Sequence, residues 1–329
     1  MSKMQVICLG EALIDKIINK SDSNFKNYLG GAPANVVCAL RKLRVPASFI
    51  GCLGDDDFGR EFIQLFQQLN INIDFLQIAK QSSTRIVKVI RDESGDRSFS
   101  GFEILQSNAF ADEMLDKLLI IKNIKNLRKQ FSNTKYIVTG TNLLAFSQSA
   151  ESLYFILDFA KNFTIKVIID LNWREIFWAH SNFTKETQFK KIKSFLHYAD
   201  ILKLASEEAY LFFETNDPSE ISKVLSKHPD VIITDGANPI KWNVNGIVGS
   251  NEVIKHKTEI IDTTGAGDAF LAGLIHKYYF GSNFNDYSKI KENIEFASVC
   301  GLLTCSGEGA IEQQPEEESV YKFLEDFGS

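Results

Sequence analysis

Apolar runs of strand length alternate with helix-length amphipathic segments along most of the chain. MQVICLG (4–10) is followed by PANVVCALRKL (33–43), and ASFIGCLG (47–54) by FGREFIQLFQQL (58–69). KYIVTG (135–140) precedes SAESLYFILDFAKN (149–162), KVIIDLN (166–172) precedes QFKKIKSFLHY (188–198), and ADILKLA (199–205) precedes EEAYLFF (207–213). VIITDG (231–236) closes the series. A run of βαβ units predicts an α/β fold with a mostly parallel, doubly wound sheet, because parallel strands need crossover connections. At 329 residues with 44% apolar content, the chain can bury a full core.

Two stretches break the rhythm, residues 12–30 and 84–103. In TRIVKVIRDESGDRSFSGF (84–102) the apolar residues alternate with period two around Asp92-Glu93-Ser94-Gly95, which predicts an antiparallel hairpin. With no repeat, low-complexity tract or Pro/Gly-rich linker, the sequence reads as one domain, 1–329, carrying these two stretches as a small β lid.

Composition removes several classes. A net charge of −6 with acids and bases interspersed argues against nucleic acid or an anionic membrane as partner. Cysteines 8, 38, 52, 300 and 305 have no CxxC spacing, so neither a disulfide framework nor a zinc site is indicated, and they read as buried hydrophobes in a reducing compartment. The start MSKMQVICLGEALI is too weakly apolar for a signal peptide, so the expected location is the cytoplasm. The histidines at 180, 197, 228, 256 and 276 show no metal spacing.

Chemistry concentrates in DTTGAGDAFLAGL (262–274). Phe270, Leu271, Leu274, Ile275, Tyr278 and Tyr279 recur at helical spacing, so a helix should begin between Gly265 and Asp268. Glycines let a ligand approach the backbone there, and the first N–H groups with the positive end of the helix dipole attract phosphate. An acid that only stabilises its helix is the competing reading of Asp268. The stretch is not a GxGxxG fingerprint, since Phe270 occupies the third glycine position, and no GxxxxGK[ST] loop occurs anywhere.

In LGGAPANVVCALRKL (29–43), Pro33 suits a first helical turn, and Val36, Val37, Leu40 and Leu43 form the buried stripe. Gly30 and Gly31 permit close backbone approach, and Asn35, off the stripe, offers a donor and an acceptor suited to hydroxyl groups. An ordinary Gly-Gly loop is the alternative.

Together these motifs resemble the ribokinase-like (PfkB) sugar kinases, fructokinase branch. The resemblance rests on GEALID (10–15), GGAPAN (30–35), IGCLGDDDFGR (50–60), DRSFSGF (96–102), DLNWREIFW (170–178), LKLASEEA (202–209) and DTTGAGDAFLAGL (262–274), which span nearly the whole chain. It implies a three-layer αβα domain with a small β-sheet lid. It implies phosphoryl transfer from Mg-ATP to a primary hydroxyl of a small carbohydrate, fructose foremost. Ribose, 2-keto-3-deoxygluconate or a nucleoside are alternative acceptors, and a non-catalytic regulatory homologue is the alternative of another class.

By the same resemblance Asp268 is the general base and the amides of Gly265, Ala266, Gly267 and Asp268 form the anion hole. Arg174 lies near the transferred phosphate, with a surface ion pair to Glu175 or a neighbour as the competing reading. Asp15, Gly30, Gly31 and Asn35 match sugar-contacting positions, and Arg97 on the lid is a further substrate contact, against the alternative of an exposed strand arginine. Lys203, Thr234, Gly236 and Ser298 match the ATP site, Ser298 standing where Asn is frequent. Glu208 matches the glutamate that organises magnesium through water, although Ala205 replaces the usual Asn three residues earlier. Asp262 and Thr264 match a monovalent-cation (K+) region of some relatives, with a polar turn as the simpler account. A homodimer through the lid is also implied.

Overall fold

The computed structural model describes residues 5–19, 25–91, 97–103, 109–179, 181, 183–254 and 260–328. Across its large sheet the strands run in the order Ile247–Asn251, Asn238–Val244, Asp230–Asp235, Ile201–Ala205, Lys166–Asp170, Thr134–Thr139, Gln5–Leu9, Ala47–Gly54 and Asn72–Ala79. All pairings are parallel up to Asp230–Asp235, and the two strands beyond it are antiparallel.

Alternation within a strand explains why helices cover both faces. Val6 and Cys8 point into one apolar cluster with Leu40, Leu274 and Phe296, whereas Ile7 and Leu9 point into another with Leu153, Ile192 and Phe212. The first cluster draws in the helices Ala32–Lys42, Ala266–Tyr279 and Tyr287–Thr304. The second draws in Ser147–Ala160, Lys185–Leu196 and Ser206–Phe213. The expected α/β, three-layer αβα architecture is therefore the observed one.

A second sheet has the order Phe25–Gly30, Leu13–Asn19, Ile86–Arg91 and Arg97–Glu103. Its strands fall inside 12–30 and 84–103, and 86–91 pairs antiparallel with 97–103 as the alternation predicts. The turn at 92–95 lies outside the described residues. Asp15 pairs with Tyr28 on one side and Val87 on the other, so the Asp15 position lies within this sheet rather than at an edge.

Three elements escape the pattern reading. Asn72–Ala79 is an edge strand with mixed exposure, and Asn238–Val244 with Ile247–Asn251 extends the sheet past VIITDG as a tight hairpin. Asn245 and Gly246 adopt positive φ (48° and 79°) at that hairpin turn, an Asn-Gly signal of the two-residue type.

Candidate active site

The carboxyl ends of the parallel strands gather the polar residues. Glu11 follows Gln5–Leu9, Asn142 follows Thr134–Thr139, Asn172 and Arg174 follow Lys166–Asp170, and Lys203 lies in Ile201–Ala205. All five line one cavity of about 330 Å³, together with Asp15, Gly31, Asn35, Thr264, Gly265, Gly267 and Asp268. Leu13, Val87 and Val89 of the small sheet form its apolar wall. An open α/β sheet binds ligands at this edge.

The helix start is built as the sequence implies. Ala266–Tyr279 begins after Gly265, whose φ of 77° lies in the left-handed region that a side chain makes costly. Asp262 shapes the preceding turn: its Oδ1 accepts from the Thr264 N–H (2.8 Å) and its Oδ2 from the Gly309 N–H (3.1 Å). Of the four expected anion-hole amides, that of Ala266 already donates to the Thr263 carbonyl at 3.3 Å. Those of Gly267 and Asp268 stand in the first turn, where a helix supplies no acceptor of its own.

Asp268 lines the cavity rather than the solvent face of its helix, and its Oδ2 accepts from Asn35 Nδ2 at 2.8 Å. Burial, then the charge of Asp170, push its carboxyl up to about 6, while the Asn35 bond, Lys203 and Arg174 pull against them. A carboxylate so poised accepts a proton readily near neutrality. Asn35 is itself 3% exposed, and its Oδ1 has no partner among the described residues, so a hydrogen-bond acceptor stands beside the acid.

Lys203 and Asp170 form a buried pair, with Nζ 3.1 Å from both carboxylate oxygens. Burial disfavours the ammonium, but Asp170, Glu208 and Asp268 outweigh it and hold the pKa of Lys203 above the usual lysine value. The charge reaches the helix start: a Cβ on Gly267 would stand 3.1 Å from Nζ. Arg174 is exposed at the cavity rim. The ion pair with Glu175 is not formed among the described residues, where Glu175 meets Lys185 instead (3.3 Å).

Glu208 sits behind the cavity. Its Oε1 accepts from the Trp173 N–H (2.7 Å) and its Oε2 from the Ala205 N–H (2.8 Å), so it fastens the loop carrying Arg174 to the strand carrying Lys203. Burial is the main reason its carboxyl is raised.

On the small-sheet side, a Cβ at Gly30 would stand 2.5 Å from Asp15 Oδ2 and one at Gly31 2.8 Å from the Glu11 carbonyl. Gly30 therefore leaves room for the Asp15 carboxylate, and Gly31 lets the backbone close on Glu11 and Ala12. Glu11 is 3% exposed, accepts from Asn142 Nδ2 at 2.8 Å, and is pushed up to about 7, mainly by burial.

Not every expected residue converges. Thr234 is the penultimate residue of the strand Asp230–Asp235, Gly236 follows that strand with φ 56°, and Ser298 is 8% exposed in Tyr287–Thr304; none lines the cavity. The Arg97 side chain lies outside those described. Sequence reasoning missed Glu11, Asn142, Asn172 and Asp170. GEALID and DLNWREIFW contain three of the four, and their positions at or just past strand ends were the available signal.

A helix start with first-turn N–H groups facing the carboxyl edge of an open parallel sheet is an anion-binding geometry of α/β proteins, and here an acid stands beside it. The family described as pfkB family carbohydrate kinase matches residues 3–317. Probable fructokinase-6, chloroplastic, of Arabidopsis thaliana is 29% identical over 331 residues, spanning 97% of this chain and 82% of that one. Fructokinase-1 of Oryza sativa subsp. japonica is 30% identical, spanning 97% of each chain. The crystal structure of fructokinase with bound ATP from Xylella fastidiosa shares the fold, with TM-score 0.85, 24% identity and 99% of each chain covered. The chain belongs to the pfkB family of carbohydrate kinases, on its fructokinase-like branch.

Proposed function

We propose that this protein transfers the γ-phosphoryl group of Mg-ATP to a primary hydroxyl of fructose, with Asp268 as the base. The carrying observation is Asp268 itself: one carboxylate lies in the first turn of a helix, in a cavity that Asp15, Asn35, Lys203 and Arg174 also line. As the acceptor oxygen bonds to the γ-phosphorus, its proton passes to Asp268 and the bond to the β-phosphate oxygen breaks, releasing ADP. Phosphoryl transfer asks mainly for positioning and charge stabilisation, which the helix-start amides with Lys203 and Arg174 supply.

Asp15, Asn35 Oδ1 and the close-packed Gly30-Gly31 backbone hold the sugar hydroxyls in this reading. Magnesium neutralises phosphate charge and arrives with the nucleotide in this reading; Glu208, whose two oxygens already accept from the Trp173 and Ala205 N–H groups, meets it only through water. Thr234 and Gly236, at the end of the neighbouring strand, and Ser298, on the helix Tyr287–Thr304, serve the nucleotide in this reading. For Asp262 and Thr264 the bonds of both Asp262 oxygens to backbone N–H groups support the polar turn over a K+ ligand set.

The chain acts as one kinase domain whose small sheet is the lid that keeps water from the phosphoryl group. Its edge strand Phe25–Gly30, with Phe25 56% exposed, supports a homodimer through the lid. The five cysteines are free and buried, which supports a reducing, cytoplasmic compartment; among the described residues no helix is long and apolar enough to cross a membrane.

Conversion of ATP to ADP against a panel of fructose, ribose, 2-keto-3-deoxygluconate and a nucleoside tests the reading. Fructose should give the highest kcat/KM. Turnover with the nucleoside alone removes fructose, and no turnover with any acceptor favours a regulatory homologue.

A further inference from the structure

The loop after Tyr287–Thr304 is bonded to three parts of the site at once. Gly309 donates to Asp262 (3.1 Å), and a Cβ on Gly265 would stand 2.7 Å from Ala310 Cβ, so the loop packs directly on the turn that opens the catalytic helix. Lys42 Nζ donates to the carbonyls of Ile311 (2.8 Å) and Gln314 (3.0 Å), and Gln314 Nε2 donates to the Asn35 carbonyl (2.9 Å), which ties the loop to the helix bearing Asn35.

The third connection reaches the small sheet. Glu308 Oε2 accepts from Lys26 Nζ at 2.7 Å and from Tyr28 Oη at 2.6 Å, both on the edge strand Phe25–Gly30. Tyr28 packs closely there, since a Cβ on Gly309 would stand 2.9 Å from its Cδ1. Tyr28 is also the register partner of Asp15, so the strand that Glu308 grips is bonded to the one bearing the acceptor-side carboxylate.

We propose that Glu308 is a positioning residue that latches the lid strand to the phosphate-end turn, so that acceptor closure and assembly of the phosphate site occur as one event. This rests on the reading of the small sheet as a lid over the sugar. The lysine arm contributes little, because Lys26 is 69% exposed and such pairs are weak in water. The tyrosine arm is part-buried and charge-assisted, and carries most of the latch. The contacts form only with the small sheet against the loop, so they favour the closed arrangement and couple the two ligands thermodynamically.

The test is the coupling between fructose and a non-hydrolysable ATP analogue, measured by calorimetry as the ratio of analogue Kd without and with saturating fructose. Wild-type protein should show fructose tightening the analogue. Glu308→Gln and Tyr28→Phe should each cut that ratio by roughly threefold or more, while analogue Kd without fructose stays nearly unchanged. The pair Tyr28→Phe/Glu308→Gln should lose no more than either alone, because one shared contact is removed. Tyr28→Phe removes a single oxygen and keeps the test sound if Glu308→Gln folds poorly. Unchanged coupling in either variant, additive losses in the double variant, or no coupling in wild type overturns the latch. A wild-type protein that phosphorylates no sugar in the panel overturns the functional reading instead, so the two failures are distinguishable.

Discussion

Asn35 donates its side-chain amide to Asp268 at 2.8 Å, joining residues 233 positions apart. The helix Ala32–Lys42 thus presents to the acid of Ala266–Tyr279 a group that favours its charged form by direct hydrogen bonding. Truncating it predicts a change in ionisation as well as in geometry. In Asn35→Ala the Asp268 carboxyl should rise above about 6, and the rising limb of kcat/KM against pH should move to higher pH by up to about one unit. A limb that stays in place would show that another group sets it.

Asp268→Asn should lower kcat on the order of 100-fold to 10,000-fold while the KM for ATP holds, as for loss of a general base. Its stability should change in the opposite sense. A folded carboxyl at about 6 against 3.8 means that the native state binds more protons between those values, so wild-type stability is greatest below the window and falls as pH rises through it. The amide escapes that loss. Denaturant titration should give the variant a gain on the order of 1 kcal/mol at pH 8 and none near pH 3.5.

Lys203→Met should destabilise the protein by about 3–5 kcal/mol, because it leaves Asp170 buried without its cation. Lys203→Met/Asp170→Asn should regain much of that stability yet remain inactive, which urea unfolding and an ADP-release assay would separate. If the single variant were as stable as wild type, the pair would not be the buried unit described.

Alternating strand-length and helix-length runs disclosed the sheet because its inner parallel strands are buried on both faces and read as continuous apolar runs. Asn72–Ala79 stayed hidden for the converse reason: it is an edge strand with polar residues on its exposed side, so its apolar content is diluted. Asp268, Asn35, Asp15 and Lys203, singled out from motif and position, all line one cavity. Their mutual contacts were not, since the bond between Asn35 and Asp268 depends on how two helices pack over the same sheet face. Glu11 was overlooked although GEALID contains it, because the apolar run to Leu9 disguises where the strand ends and the cavity begins.

Gly30→Ala should raise the KM for the sugar about tenfold while the KM for ATP stays put, since the added methyl meets Asp15 Oδ2 at 2.5 Å and displaces the carboxylate from the acceptor side. Equal effects on both KM values would argue that Gly30 serves the backbone alone.

A crystal structure with fructose and a non-hydrolysable ATP analogue bound addresses the central claim most directly. The account predicts a primary hydroxyl of the sugar within about 2.6–3.2 Å of an Asp268 oxygen. It also predicts the γ-phosphate against the N–H groups of Gly265, Gly267 and Asp268. A sugar whose reacting hydroxyl bonds to another residue, or a phosphate lying away from that helix start, would contradict it.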